Sequence, residues 1–384
     1  MKFEFATVDR IIFGAGKVNE ILSAIPTCNQ NICVITGKNL IRAEPVTKQL
    51  EGEKIDFITI QVDTEPTVDK VNAGVNRARE AGCRCVVGIG GGSVLDTGKV
   101  IAALLTNEGE LFEYLEVIGK GNKLVNPSVP YIAIPTTAGT GAEVTRNSVL
   151  MSSEHKVKVS MRSPSMLPLI AIIDPELTYS MPPSITAHTG LDAYTQVLEA
   201  FVSTDATPLT DGICREGLRR AAGALERAYR DGSDIKARED MCLASLCGGL
   251  ALANAKLGAV HGIAGPLGGM FTSPHGAVCG RLLPYVISAN ISALRNRLPT
   301  SPALARYDEI ARIIIGNPQA VASDGIRWTH NLCNQLKMTP LSEYGIDEKD
   351  FSDIIKKSQR ASSMQGNPVR LTENELYDIL QQAL

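Results

Sequence analysis

Two of the five histidines, His261 and His275, lie in glycine- and proline-punctuated runs, GAVHGIAG and SPHGAV. With Asp192 upstream they supply two imidazoles and a carboxylate, the donor set of a catalytic divalent ion that keeps a position open for substrate. An isolated histidine more often sits as a satisfied polar residue, and that plainer reading is kept for His155, His188 and His330. A metal-assisted enzyme is the leading expectation.

The elements that must position these residues change character along the chain. In the first half, strand-like runs (Asn31 to Thr36, Asp56 to Ile60, Cys85 to Ile89, Tyr131 to Ile134) alternate with helical patterns, as in a parallel sheet covered by helices. Val68, Val71, Val75 and Ala78 recur at three or four residues, the mark of an amphipathic helix. Beyond Met181-Pro182-Pro183 the texture becomes long alanine- and leucine-rich stretches such as ITAHTGLDAYTQVLEAFVS. The expected division is an α/β nucleotide-binding domain over 1–181 and an all-α domain over 182–384.

The run from Gly88 to Asp96, GIGGGSVLD, feeds a strand into a helix. Consecutive glycines let backbone N–H groups close on a pyrophosphate, and the helix N-terminus adds partial positive charge. It is not the usual dinucleotide fingerprint, because Ser93 stands where G-x-G-x-x-G needs glycine. A plain turn with Ser93 and Asp96 as a capping box is the competing reading. A second loop, Pro135 to Thr145 (PTTAGTGAEVT), offers hydroxyls and amides after another strand, and by itself reads equally well as a turn.

Composition narrows the class. With 384 residues, 44% hydrophobic and 21% charged, the chain can bury a large core, and a net charge of -3 gives no basic surface for nucleic acid or an anionic membrane. The nine cysteines are scattered and odd in number, which fits reduced thiols in a cytoplasm. Cys83 and Cys85, flanking Arg84, read as buried strand cysteines ahead of ligands. The N-terminus resembles no signal or transit peptide, and no apolar stretch approaches the roughly 18 to 20 residues of a membrane span.

In order along the chain, GGGSVLDTGK, PTTAGTGAEVT, AIIDPELTYSMPPSITAHTGLDA, GAVHGIAGPLGG, SPHGAV and NPVRLTENE resemble the iron-containing (group III) alcohol dehydrogenase family. The resemblance covers nearly the whole chain. It implies a dehydroquinate synthase-like fold: an N-terminal domain that binds a nicotinamide dinucleotide, a helical metal-binding domain and a cleft between them. By motif, Gly91, Gly92, Ser93 and Asp96 fall on the cofactor phosphate region, Thr136, Thr137 and Thr140 on its second loop, and Lys158 near the nicotinamide ribose. Without the family, Lys158 reads as a solvated strand lysine. A homodimer acting on a small alcohol or aldehyde is also implied.

Three departures from the family pattern bear on chemistry. Where an iron site has D-A-x-x-H, this chain has Asp192 and then Gln196. Positions four apart share a helix face, so Gln196 can offer an amide oxygen, a weaker donor than imidazole. Either four ligands bind with Gln196 weakly held, or Asp192, His261 and His275 bind with water in the vacated place. The second resembles the zinc-dependent glycerol dehydrogenase branch, and both Fe2+ and Zn2+ stay open. Gly265 replaces a histidine four residues past His261, which enlarges the pocket beside Phe271 and routes protons through water, the cofactor ribose or a hydroxyl. Gly37, where NAD-preferring members carry aspartate, leaves space that Lys38 or Asn39 can approach with a 2′-phosphate bound. This favours NADP over NAD, unless Gly37 only makes a turn. The expected activity is reversible hydride transfer between a primary alcohol and its aldehyde. The rivals are a metal-independent maleylacetate reductase type, a dehydroquinate synthase-like lyase and a non-catalytic dinucleotide binder.

Overall fold

The computed structural model describes residues 2–26, 31–155 and 157–384; Cys28 lies outside the described residues. The four expected strands are present as β2 (Ile32–Gly37), β3 (Phe57–Val62), β4 (Cys85–Gly90) and β5 (Tyr131–Pro135). They are joined by β1 (Arg10–Phe13) and β8 (Ile170–Ile173), which sequence did not single out, and by a separate antiparallel pair, β6 (Asn147–Ser152) and β7 (Val157–Arg162). The main sheet runs β1-β8-β5-β4-β2-β3, and every neighbouring pair is parallel.

The continuous apolar runs follow from cover on both faces. Cys33, Ile35 and Val86 pack on one side with Val71, Val75, Leu95 and Ile101, while Ile32, Val34, Cys85, Val87 and Ile89 pack on the other with Val46 and Leu50. Each such aliphatic side chain taken fully out of water contributes about 1.5–3 kcal/mol. The flanking helices are α1 (Glu44–Gly52), α2 (Val68–Glu80) and α3 (Gly92–Leu104). Thr67 caps α2, its hydroxyl accepting from Lys70 N at 3.3 Å, and the predicted stripe Val71, Val75, Ala78 faces the core.

The topology gathers three loops at the carboxyl edge of the sheet. Between β2 and β4 the chain's winding direction reverses, and open parallel sheets bind ligands at such a switch point. Gly37 ends β2 and Gly90 ends β4 there, while Thr136, just past β5, donates its N–H to Gly90 O at 2.9 Å.

The second half is helical: α4 (Pro183–Val202), α5 (Pro208–Arg230), α6 (Ile235–Asn254), α7 (Ala259–Met270) and α8 (His275–Arg297), followed by helices at Pro302–Ile315, Ala322–Gln335, Phe351–Arg360 and Glu373–Ala383. Helix α4 is the hub, packed against α5, α6 and α8. Glycines set these close approaches. A Cβ at Gly276 would lie 2.0 Å from His188 O, and one at Gly280 would lie 2.5 Å from Leu191 Cδ1.

Helix α8 corrects one expectation. Over 23 residues, with a window of mean hydropathy 1.3, it is long and apolar enough to cross a membrane. That window is 72% buried within the fold, which makes α8 a core helix.

The chain divides into two compact units: Thr7–Thr137 with Gly141–Ser180, and Met181–Leu384 with the residues through Ala6 and with Ala138–Thr140. The outlying segments have local reasons to join the helices. Asn254 exchanges hydrogen bonds with the Ala6 backbone at 2.6 and 2.9 Å, and Gly139 lies so close to α4 that a Cβ there would stand 2.5 Å from Thr189 Cβ.

Candidate metal centre and dinucleotide site

The helical unit brings Asp192, His261 and His275 together. Asp192 lies on α4, His261 in the first turn of α7, and His275 is the first residue of α8. Asp192 Oδ1 is 3.2 Å from His261 Nε2 and 3.9 Å from His275 Nε2. Asp192 and His261 are buried, while His275 retains 37% side-chain exposure, so the cluster is reachable from one side.

A residue missed in the sequence holds His261. Glu199, seven residues past Asp192 on the same stripe of α4, is buried, and its Oε2 lies 2.7 Å from His261 Nδ1. A carboxylate only accepts, so Nδ1 carries the proton and Nε2 is left facing Asp192. Glu199 also accepts from Val260 N at 2.7 Å, and Asn367 Oδ1 accepts from Ala259 N at 3.1 Å. These two side chains satisfy first-turn donors of α7, which has no cap from its own N-cap residue Gly258. Asn367 opens NPVRLT, so that motif helps fix the helix that carries His261. Burial pushes the His261 imidazole down, but hydrogen bonds to Asp192 and Glu199 outweigh it and hold the pKa up at about 9.

Gln196 is buried on the same face. Its Nε2 donates to Asp192 Oδ1 and to Thr140 O, each at 3.3 Å, while Oε1 is buried without a hydrogen-bond partner. Cys279, also missed, sits one turn beyond His275 with Sγ 3.6 Å from His275 Nε2. Donor atoms of Asp192, His261, His275 and Cys279 all lie within 4.8 Å of one another. His155, His188 and His330 stand outside this group. Gly265 opens on space, with no atom within 4 Å of a built Cβ, and Phe271 is half-buried at the end of α7.

In the sheet unit, Gly91 is the N-cap of α3 and no side chain caps the first turn. The capping box that was the competing reading of Ser93 and Asp96 is not formed. Asp96 instead accepts from Val149 N at 2.9 Å and pairs with buried Lys99 at 3.3 Å. Burial pushes the Asp96 carboxyl up and the Lys99 amine down, and each partner opposes the other's shift. The uncapped N–H groups of Gly92 and Ser93 sit where an anion is bound favourably. Thr136 is buried and Thr137 half-buried beside Gly91, whereas Thr140 belongs to the helical unit. Lys158, on β7, is only 14% exposed and pairs with Glu65, so it is not a solvated strand lysine. Gly37 is half-buried with at least 4.0 Å to the nearest atom of any Cβ, Lys38 is exposed, and Asn39 uses its side-chain oxygen to accept from Ile41 N. Cys83 and Cys85 are buried in the core.

Comparison with known proteins finds matches over nearly the whole chain. The family profile described as iron-containing alcohol dehydrogenase matches residues 9–175, and that of the Fe-containing alcohol dehydrogenase family, C-terminal, matches residues 186–384. Alcohol dehydrogenase 4 of Saccharomyces cerevisiae is 36% identical over 340 residues, covering 88% of this chain and 86% of that protein. A solved 1,3-propanediol oxidoreductase superposes with a TM-score of 0.91 at 31% identity, with all of both chains covered. A sulfoacetaldehyde reductase from Bifidobacterium kashiwanohense, solved in complex with NAD+, superposes at 0.87 with 29% identity, covering 100% of this chain and 99% of that one. The chain belongs to the iron-containing alcohol dehydrogenase family. It is an oxidoreductase of the alcohol dehydrogenase type, with a nicotinamide dinucleotide as its redox partner.

Proposed function

We propose that this protein interconverts a primary alcohol and its aldehyde using NADP(H) and a divalent ion, Fe2+ or Zn2+, held by Asp192, His261 and His275. The observation that carries the metal assignment is one buried carboxylate oxygen shared by two imidazole Nε2 atoms, at 3.2 and 3.9 Å. The donor chemistry fits a cation: a buried acid and two imidazoles whose donor atoms lie within 4.8 Å of one another. When bound, the ion supplies Lewis acidity toward the substrate oxygen and the nicotinamide supplies or accepts the hydride.

The residues of the chain set up that exchange. Glu199 fixes the His261 tautomer and ring plane. The first turn of α8, with no side-chain cap, directs partial positive charge toward the cluster and favours negative charge on a substrate oxygen there. Gly265 contributes no proton-exchanging group, so the hydroxyl proton would leave through water, the cofactor ribose or a neighbouring hydroxyl, and the space at Gly265 would admit a bulkier substrate.

On the sheet unit, Gly91, Gly92 and Ser93 would receive the pyrophosphate through backbone N–H groups, with Asp96, Thr136, Thr137 and Lys158 as further cofactor contacts by motif; Thr140, on the helical unit, is matched by motif alone. NADP is favoured over NAD because Gly37 presents no carboxylate, and exposed Lys38 is placed beside it for a 2′-phosphate. The nine cysteines, scattered and odd in number, support a cytoplasmic setting. A homodimer is the assembly that the family resemblance supports.

The division of labour between units is tested by His275→Ala. Turnover is expected to fall to background while NADPH affinity, read by cofactor fluorescence, stays within about twofold of the parent, well under the roughly 1.4 kcal/mol of a tenfold change. Loss of NADPH binding together with turnover would contradict it.

A further inference from the structure

We propose that Cys279 is the fourth protein ligand of the metal site, binding as a thiolate in the place that Gln196 does not fill. The proposal rests on the metal reading of Asp192, His261 and His275. His275 and Cys279 are four residues apart on α8 and so project from one face of the helix. Cys279 is fully buried, and Sγ stands within 4.8 Å of the donor atoms of Asp192, His261 and His275.

Two of the spacings match a tetrahedral ion, while Asp192 Oδ1 and His275 Nε2, at 3.9 Å, stand wider than such an edge. Zinc bonds of about 2.0–2.1 Å to nitrogen and about 2.3 Å to sulfur set neighbouring N and S donors about 3.6 Å apart. His275 Nε2 and Cys279 Sγ are 3.6 Å apart. The corresponding nitrogen–oxygen edge is about 3.3 Å. His261 Nε2 and Asp192 Oδ1 are 3.2 Å apart.

Gln196 faces the cluster with the wrong end for a ligand. Its amide nitrogen donates to Asp192 Oδ1 and Thr140 O, which orients the carboxylate. Its oxygen lies beside Gly248 of α6, 2.6 Å from a Cβ built there. Exchanging the two amide atoms would set an oxygen against Asp192 Oδ1 and another against Thr140 O, acceptor facing acceptor in both cases. Gln196 is thus a positioning residue for Asp192, and the thiol supplies the missing donor. On coordination the S–H bond breaks, the proton leaves to solvent and a sulfur–metal bond forms, with no change of oxidation state. Asp192 and Cys279 together then neutralise a divalent ion, and the soft thiolate biases the site toward zinc.

Cobalt substitution tests this without relying on activity. The full-length protein is stripped with chelator, loaded with Co2+, and its visible ligand-field bands and near-ultraviolet thiolate-to-cobalt charge-transfer band are recorded. Both sets are expected in the parent. Cys279→Ser is expected to keep the ligand-field bands, lose the charge-transfer band and bind Co2+ at least about tenfold more weakly, since even outer partners of a metal site are worth that much. The double variant Cys279→Ser/Gln196→His is expected to recover the affinity, with no charge-transfer band, which separates loss of a ligand from loss of the fold. Ligand-field bands without a charge-transfer band in the parent, or a charge-transfer band that persists in Cys279→Ser, would overturn the role of Cys279 and leave the metal site standing. Absence of ligand-field bands in the parent would overturn both.

Discussion

That Asp192, His261 and His275 lie together was legible through the family resemblance, which reversed the plainer reading of isolated histidines as satisfied polar residues. The residues that make them a working set were harder to see. Glu199 sits in LEAFV, where a lone acid in an apolar stretch looks like a surface residue, and only its seven-residue spacing from Asp192 hints that it shares the buried face. Cys279 looks like any small core residue until α8 brings it within 3.6 Å of His275 Nε2. Glu199→Gln keeps the size and an acceptor oxygen but removes the charge that holds His261. Metal affinity, measured by chelator competition, is expected to fall about 10- to 100-fold, with helical content retained. Unchanged affinity would mean that Glu199 only closes the end of α7.

At the scale of elements, the histidine runs show tertiary packing overriding local propensity. GAVHGIAGPLGG is dense in glycine and proline, which argues against a helix, yet residues 259–270 form α7. Its first turn is satisfied from outside by Glu199 and Asn367, partners 60 and more residues away that no local pattern reveals. The failed capping box has the same origin, since Asp96 is drawn to Val149 N and Lys99 and the α3 N-terminus stays open. Helix contact also sets ligand spacing, for Gly276 allows α8 to meet α4 where His275 faces Asp192. A Cβ in Gly276→Ala would stand 2.0 Å from His188 O, a backbone atom that cannot swing away. This variant is expected to lose about 1–3 kcal/mol in urea unfolding and to bind less than one metal per chain, as α8 backs away from α4. Full metal content at parental stability would show that the contact relaxes without moving the site.

For the molecule as a whole, the alternation of strands and helices and the switch to helix near Met181 were legible because periodicity reports burial directly. Strands β1 and β8, each four residues long, were not singled out in the sequence. The grouping of Ala138–Thr140 with the helices escaped because it depends on contact with α4. The apolar character of α8 was likewise masked by the polar residues that interrupt it. Buried charge gives the whole fold a pH dependence. Glu143 is 2% exposed, and burial, partly offset by Lys99, raises its carboxyl from the ordinary 4.5 to about 7. The folded chain therefore holds this proton more tightly than the unfolded chain. Its contribution to stability falls as pH rises from about 4.5 to about 7 and is fully lost above, a cost of about 3 kcal/mol. Glu143→Gln is expected to be near-neutral at pH 5 and to stabilise by up to that amount at pH 8 in urea titrations. Equal effects at both pH values would show that Glu143 is not protonated in the fold.

Alcohol–aldehyde exchange is proposed to depend on an ion held by Asp192, His261 and His275. The most direct measurement strips the purified protein with chelator, reconstitutes it separately with Fe2+ and Zn2+, and follows NADPH and NADH oxidation against a panel of aldehydes. Stripping is expected to abolish turnover, one of the two ions to restore it at about one per chain, and NADPH to be the better donor. Turnover indifferent to chelation would contradict this dependence, and would make a metal-independent reductase of the maleylacetate type the better description.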